Sequence, residues 1–423
     1  MSNNVRVQPD LKFVKELQSV GGESLKKCYQ CATCSVVCPL SPADNPYPRK
    51  EMVWAQWGLK DRLVNDIDIW LCHNCGTCSD LCPRGAKPGD LLAALRNMAY
   101  RQLAPLGFIG KLMSNFGGVL MLALVPAVIY LTIWIAQAAK FGTAFPLFAA
   151  GAEHGAWDVV ADGKVIYGGL FPGDYFIDPI FGAAFAFMLV CFYLGVQNLL
   201  KGLKEGPKTF DLSGTEKPGM IAAFIDTLKH EVLQHSQFND CGEDEADKKR
   251  AFGHKMVMYA FIILMVVTGI VATGHWFGAW FLEHVLGLDD PFSKFIALLG
   301  STPMPQHSVV KVAANVGAVM LVYGLMQLTR RRQGLDPEKQ GSNFYDWYLL
   351  YVIWTIALTG IGAEIFRLVN IKYLAYPTYF LHLVAVFMLL AYLPWSKLGH
   401  LVYRTVALSY AKTIGRIPMG AAK

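Results

Sequence analysis

The sequence predicts an all-α protein, a helical N-terminal domain followed by a bundle of six membrane-spanning helices. Three observations lead there. Of the 423 residues, 54% are apolar and only 17% are charged, against the roughly 25% usual in soluble domains. Beyond residue 110, six uncharged apolar stretches follow one another. Before it the chain is polar to mixed and holds eight of the ten cysteines.

The apolar stretches are Leu112–Ala139, Pro179–Leu200, Met256–Leu282, Val312–Thr329, Trp347–Ala363 and Tyr373–Ser396. A helix needs about 20 residues, rising about 1.5 Å each, to cross a hydrocarbon layer of about 30 Å. Four stretches exceed that, and the two that end before Arg330 and Glu364 stay within the accepted range. Orientation follows from the basic residues near the span ends. One side collects Arg101, Lys111, Lys201, Lys204, Lys208, Lys248, Lys249, Arg250 and Lys255. Arg330, Arg331, Arg332, Lys397, Arg404, Lys412 and Arg416 join them. The opposite loops carry Lys140, Lys164, Lys294, Lys311 and Lys372. Both termini are therefore expected in the cytoplasm, with the bundle in the inner (cytoplasmic) membrane. The net charge of +6 is this topological bias and gives no sign of nucleic-acid binding.

Met1 to Leu25 is polar and carries no apolar core of a secretory signal. The cysteines are then expected to stay reduced and available for metal. They read Cys28-x2-Cys31-x2-Cys34-x3-Cys38-Pro39 and Cys72-x2-Cys75-x2-Cys78-x3-Cys82-Pro83. This duplicated spacing is the two-cluster ferredoxin run, in which the fourth cysteine serves the other cluster. Three thiolates two residues apart wrap one iron–sulfur cube, and the proline stops the loop so that the fourth thiol points away. One [4Fe–4S] cluster is assigned to Cys28, Cys31, Cys34 and Cys82, the other to Cys72, Cys75, Cys78 and Cys38. Zinc, which takes four ligands in a tetrahedron, suits a duplicated three-plus-one pattern poorly. Cys191 reads as a packing residue inside a span, and Cys241 stands alone in a loop.

Helices are expected from Arg49, ended by Gly58, and over Pro88–Tyr100, where Leu91, Leu92, Leu95 and Met98 share a face. With Asp68-Ile-Trp-Leu-Cys72 and both cysteine runs, this region resembles the helical ferredoxin domain of heterodisulfide reductase C-type subunits and of succinate dehydrogenase iron–sulfur subunits. Residues 1–110 are read as that domain. Residues 111–423 are read as a membrane cytochrome, with a charged cytoplasmic loop over 202–253 taken as a solvated linker.

A haem b between helices needs two neutral imidazoles, and a histidine in hydrocarbon is a functional candidate. His382 and His400 are 18 residues apart. On one continuous helix that is five turns, about 27 Å, with both rings on one face. His254 matches the depth of His400 and is expected to share the cytoplasmic-side haem with it. Near the outer side His275 or His307 can join His382, and His275 puts both ligand pairs on the same two helices. One or two haems are expected, two favoured.

Spans two to six resemble the cytochrome b gamma subunit of respiratory nitrate reductases and E-type heterodisulfide reductase subunits. The resemblance rests on Arg250-Ala-Phe-Gly-His254, Thr359-Gly-Ile-Gly-Ala-Glu364-Ile-Phe-Arg367, Leu381-His382-Leu and Tyr392-Leu-Pro-Trp-Ser-Lys-Leu-Gly-His400. Where that family has a further ligand about ten residues after the first, this chain has Leu264. A C-type domain fused to an E-type cytochrome resembles the C-type subunits of quinone-interacting membrane-bound oxidoreductases. The resemblance implies partner subunits like the heterodisulfide reductase A-type flavin and iron–sulfur protein. It also implies menaquinone as substrate and a link to adenylylsulfate reductase in dissimilatory sulfur metabolism.

The expected function is an electron-transfer subunit between quinol and cytoplasmic partners, with no catalytic residue of its own. The alternative is the membrane subunit of a heterodisulfide-reductase-type or other respiratory reductase. Glu364 and Arg367 are expected to pair at the outer end of span five, and quinol to react on the His382 and His275 side. A transporter with broken helices finds no matching Gly/Pro-interrupted pair in the two halves. A self-contained heterodisulfide reductase lacks its cysteine-rich substrate motif.

Overall fold

A computed structural model describes residues 8–42, 45–150, 157–206, 217–236, 245–301 and 303–420. Helices dominate, and the described strands are one antiparallel pair, Phe148–Ala150 with Trp157–Val159, in the loop after the first span.

The N-terminal region is built from α1 (Leu11–Ser19), α2 (Arg49–Gln56) and α3 (Pro88–Leu103), joined by short turns that carry the cysteines. Asp10 caps α1 by accepting from the Phe13 N–H at 2.9 Å. Gly58, at φ +67°, ends the turn after α2 in the left-handed region that favours glycine. Leu91, Leu92, Leu95 and Met98 of α3 are buried together.

Six helices are long and apolar enough to cross a membrane: Phe116–Phe141, Gly173–Glu205, Lys248–Val285, Val309–Gln333, Phe344–Leu368 and Lys372–Ala391. The first starts where the Asn115 side chain accepts from Gly118 N–H at 2.8 Å. The fifth starts with a capping box between Asn343 and Asp346. Asp346 also pairs with Arg332 at 3.0 Å and with Lys397, tying three span ends together. Most of each span's surface is apolar and unburied within the chain, as lipid contact requires.

Three expectations change here. The sixth span does not continue to His400. It ends at Ala391, passes through short turns at Leu393–Trp395 and Lys397–Gly399, and a new helix runs over His400–Thr413. Pro394 lacks the N–H that a continued helix needs and clashes with the preceding turn. The Ser396 hydroxyl then accepts from Leu398 N–H at 3.2 Å to open the next turn. His382 and His400 therefore sit on different helices, and the five-turn spacing does not apply.

The described part of the 202–253 loop is also more than a solvated linker. Met220–Thr227 and the turn that follows pack on the last helix, where the buried Lys412 meets Asp226 at 2.6 Å and Glu231 at 3.8 Å. Cys241 lies outside the described residues. At the other end of the bundle, Glu364 pairs with Lys311 at 2.8 Å, where Arg367 was the expected partner. Cys191 is buried in the core.

Residue 110 is no break in the packing. Trp70 and Tyr100 of the N-terminal region and Tyr403 of the last helix form an aromatic cluster with centroids 5.8–6.3 Å apart. The same core takes in Phe13, Leu17, Leu95, Tyr345, Trp395 and Ala411. The cysteine-bearing region is thus seated on one end of the bundle.

Candidate redox centres at the junction

Both cysteine runs fold into the same loop. Gln30 and Ala32 in the first, and Asn74 and Gly76 in the second, have φ of +72°, +69°, +54° and +100°. Alternating left-handed residues turn successive backbone N–H groups toward one concavity, an arrangement suited to anionic sulfur. Three of the four are not glycine, so the loops store strain of order 1 kcal/mol per residue. A threonine follows each pattern. The Thr33 hydroxyl is 3.2 Å from Cys31 Sγ, and Thr77 donates to Cys75 Sγ at 3.5 Å.

Two cavities result. One is lined by Cys28, Cys31, Cys34 and Cys82. The other is lined by Cys38, Cys72, Cys75 and Cys78. The fourth cysteine of each run lies with the first three of the other. Burial, and after it the charge of Cys28 and Cys82, pushes the Cys34 thiol up to about 12. Burial pushes Cys38 up to about 11. The buried thiols among them ionise readily only beside a cationic core, and a metal-bound thiol is deprotonated outright. The donor sets fit [4Fe–4S] clusters.

The second loop faces the bundle. Gln340, between spans four and five, donates to the Cys75 carbonyl at 3.0 Å. A side chain at Gly76 would collide with the Gln340 amide. Arg250 donates to the His73 carbonyl at 2.7 Å, and Arg404 to the Trp70 carbonyl at 2.8 Å. Arg404 also lies 3.1 Å from the His73 ring nitrogens.

Arg250 is one turn before His254, and Arg404 one turn after His400. Those two histidine rings lie with centroids 6.3 Å apart and their planes inclined at 63°. A metal between two imidazoles at roughly 2.0–2.1 Å each sets the ligating nitrogens about 4 Å apart, which this separation accommodates. The Lys397 carbonyl lies 2.7 Å from His400 Nδ1. Such a bond fixes the tautomer and leaves Nε2 as the ligating nitrogen. Burial pushes His400 down to about 4, so the ring is neutral as ligation requires. The pair fits a bis-histidine haem b.

A third histidine, unread from the sequence, backs this pair. His235 Nε2 is 2.8 Å from His254 Nδ1. It is buried, and burial followed by the charge of Lys255 pushes it down to about 4. Nothing in the local sequence of the loop marked it.

The outer pair is not assembled. His275 Nε2 is 2.8 Å from Asp174, in the first turn of the second span. His382 Nδ1 meets the Thr359 hydroxyl at 3.1 Å, and its ring packs so close on Gly360 that an added Cβ would come within 3.1 Å. The span bearing His275 packs along the fourth span, whereas that bearing His382 packs along the fifth. His307 is exposed at the start of the fourth span. The residues do not fit a second haem here.

Residues 24–86 match the family model of the 4Fe–4S dicluster domain. The chain is 37% identical over 91 residues to the C-type subunit of the H2:CoB–CoM heterodisulfide,ferredoxin reductase of Methanothermobacter marburgensis, 21% of this chain and 49% of that one. A C-like heterodisulfide reductase protein of Archaeoglobus profundus is 33% identical over 94 residues, 48% of its length. The chain thus spans about half the length of the C-type relatives it matches. Over 242 residues it is 24% identical to the E-type subunit of the dihydromethanophenazine:CoB–CoM heterodisulfide reductase of Methanosarcina thermophila, 53% of this chain and 88% of that one. C-like and E-like regions run in series on one polypeptide, giving a multi-pass membrane protein that joins iron–sulfur centres to a membrane region. No solved structure matches.

Proposed function

We propose that this chain is the membrane-anchoring electron-transfer subunit of a quinone-linked oxidoreductase. It would pass electrons between menaquinol and soluble flavin and iron–sulfur partners, with adenylylsulfate reductase as the ultimate acceptor in sulfur metabolism. One observation carries the reading. The loop holding Cys72 is clamped by Arg250 and Arg404 to the two helices that bring the rings of His254 and His400 together, centroids 6.3 Å apart.

Cys28, Cys31, Cys34 and Cys82 hold one cluster, and Cys38, Cys72, Cys75 and Cys78 the other. His254 and His400 hold haem b. When bound, these groups supply one-electron centres, and the protein's part is to place and tune them. Arg250 and Arg404 set the distance between the histidine pair and the second loop. His235 and the Lys397 carbonyl orient the two imidazoles. Quinol oxidation yields two electrons and two protons, and the protons leave from the quinol site.

The test is the purified, full-length protein. Its expected signature is two [4Fe–4S] signals in electron paramagnetic resonance and a reducible b-type optical band. A preparation with both clusters and no haem band would sink the quinol-linked reading and leave an iron–sulfur membrane anchor.

A further inference from the structure

The two cysteine cavities differ in what covers them. The Cys38 and Cys72 cavity is roofed by the bundle and the loop before the fifth span, through Gln340, Arg250 and Arg404. On the other cavity, Cys31 is exposed. Tyr29 of that cavity's lining is 57% exposed, and Val36 and Leu81, which follow Cys34 and precede Cys82 in the chain, are 82% and 54% exposed. Arg49 and Arg84 line the same cavity, and both are exposed, with Arg84 over the Tyr29 ring at 5.8 Å. Lys26 and Lys27 immediately precede Cys28 and are exposed, while the nearby exposed acids are Glu23 and Asp80.

An apolar centre with a basic rim, placed over a redox centre, is the anatomy of a transient electron-transfer contact. Such contacts are small and weak, and opposite charge steers them. We propose that this face is the electron port of the protein and seats the acidic face of a soluble redox protein. The inference rests on the reading that Cys28, Cys31, Cys34 and Cys82 hold a cluster. It adds which cluster meets the partner and what charge that partner presents. The step is one electron per encounter: under the proposed function the cluster under Tyr29 is oxidised by one electron and the carrier's centre reduced by one, with no bond made or broken, and a reduced carrier drives the same step in reverse.

An acidic plant-type [2Fe–2S] ferredoxin is a suitable probe, since it is a soluble one-electron carrier of low potential and can be presented oxidised or reduced. Binding of the oxidised ferredoxin to the detergent-solubilised full chain is measured by calorimetry at rising ionic strength. Electron delivery from reduced ferredoxin is followed by rapid-freeze paramagnetic resonance. Binding should weaken with salt, and the double variant Arg49→Glu/Arg84→Glu should weaken it at least tenfold and slow delivery similarly. The control Lys201→Glu/Lys204→Glu, on the bundle, should change neither. Salt-independent binding, or a loss seen only in the control, overturns the proposal. So does delivery first to the cluster altered by Cys72→Ser. Absence of iron–sulfur signals in the starting protein would instead reject the cluster reading on which the proposal stands.

Discussion

Arg404 lies 3.1 Å from the ring of His73, placing one guanidinium between the helix that begins at His400 and the residue that follows Cys72. The same guanidinium donates to the Trp70 carbonyl at 2.8 Å. A planar fork with several donors can hold a loop this way, and a lysine point charge cannot. Arg404→Ala is expected to leave both clusters and the histidine pair in place but to loosen their spacing. Reduction of the clusters by quinol in stopped flow should slow by more than tenfold, and Arg404→Lys should not restore it. An unchanged rate with all centres retained would remove the clamp from the mechanism.

The histidines make a graded prediction. His254→Ala and His400→Ala should each abolish the same b-type optical band. His235→Ala, which removes only the group beside His254 Nδ1, should keep the band and lower its midpoint potential or its occupancy. Groups hydrogen-bonded behind a ligating imidazole typically change metal affinity by about 10–100-fold. His382→Ala should leave the band untouched. Loss of the band on changing His382 would restore an outer haem.

The C-terminal segment is pinned by charge. Arg416 donates to Asp68 Oδ1 at 2.8 and 2.9 Å, and both side chains are buried. Lys50 also lies 2.5 Å from Asp68, so losing Arg416 leaves that carboxylate partly compensated, at a cost below the roughly 3–5 kcal/mol of a buried charge left alone. Arg416→Ala should lower thermal stability accordingly, and Arg416→Ala/Asp68→Asn should recover part of the loss. Equal stability of the single and double variants would show that the pair itself carries little.

Beside it, Glu51 is fully buried, both its carboxyl oxygens lack a hydrogen-bond partner, and the Lys50 amine stays 3.5 Å away. Burial, with the charge of Asp66 after it, holds its carboxyl well above the usual range. A group whose folded pKa is raised favours the fold most below its unfolded pKa, near about 4.3. That contribution is lost as pH rises through the folded value. Glu51→Gln should therefore stabilise the protein at pH 8 and confer progressively less advantage toward pH 4. Thermal unfolding across that range reads the crossover. A constant difference at all pH values would mean Glu51 does not titrate on its own.

How much of this was legible follows the range of each constraint. Cluster ligation is local chemistry, so the x2, x2, x3 spacing announces the donors, and the structure gathers those same thiols into two crossed sets. Six spans are legible because hydrocarbon imposes composition on every residue within them. The break before His400 was signalled by Leu393-Pro394 and was passed over in favour of an 18-residue period. His235, Gln340, and the reach of Arg404 to His73 are long-range contacts that leave no periodic trace. His275 is chosen over His307 because it puts both ligand pairs on the same two helices, and neither depth nor a shared helix says which neighbouring helix a ring will face.

These placements bear on where quinol reacts. The sequence points to the His382 and His275 side, so that electrons would cross the membrane to reach the clusters. The structure ties His275 to Asp174 and sets His382 against Thr359 and Gly360, with no second histidine brought to it among the described residues. The histidine pair that fits a haem lies at the cluster end of the bundle, beside the seat of the second loop. Quinol oxidation at that end would move no charge across the bilayer. Each electron crossing about 100 mV would instead couple roughly 2.3 kcal/mol to the field. Proteoliposomes with one protein orientation, supplied with a quinol analogue and a soluble acceptor, should turn over without an electrical signal. His382→Ala should retain that turnover. A membrane potential that builds with turnover, and disappears in His382→Ala, would return the site to the far side and require a transmembrane path that the described residues do not provide.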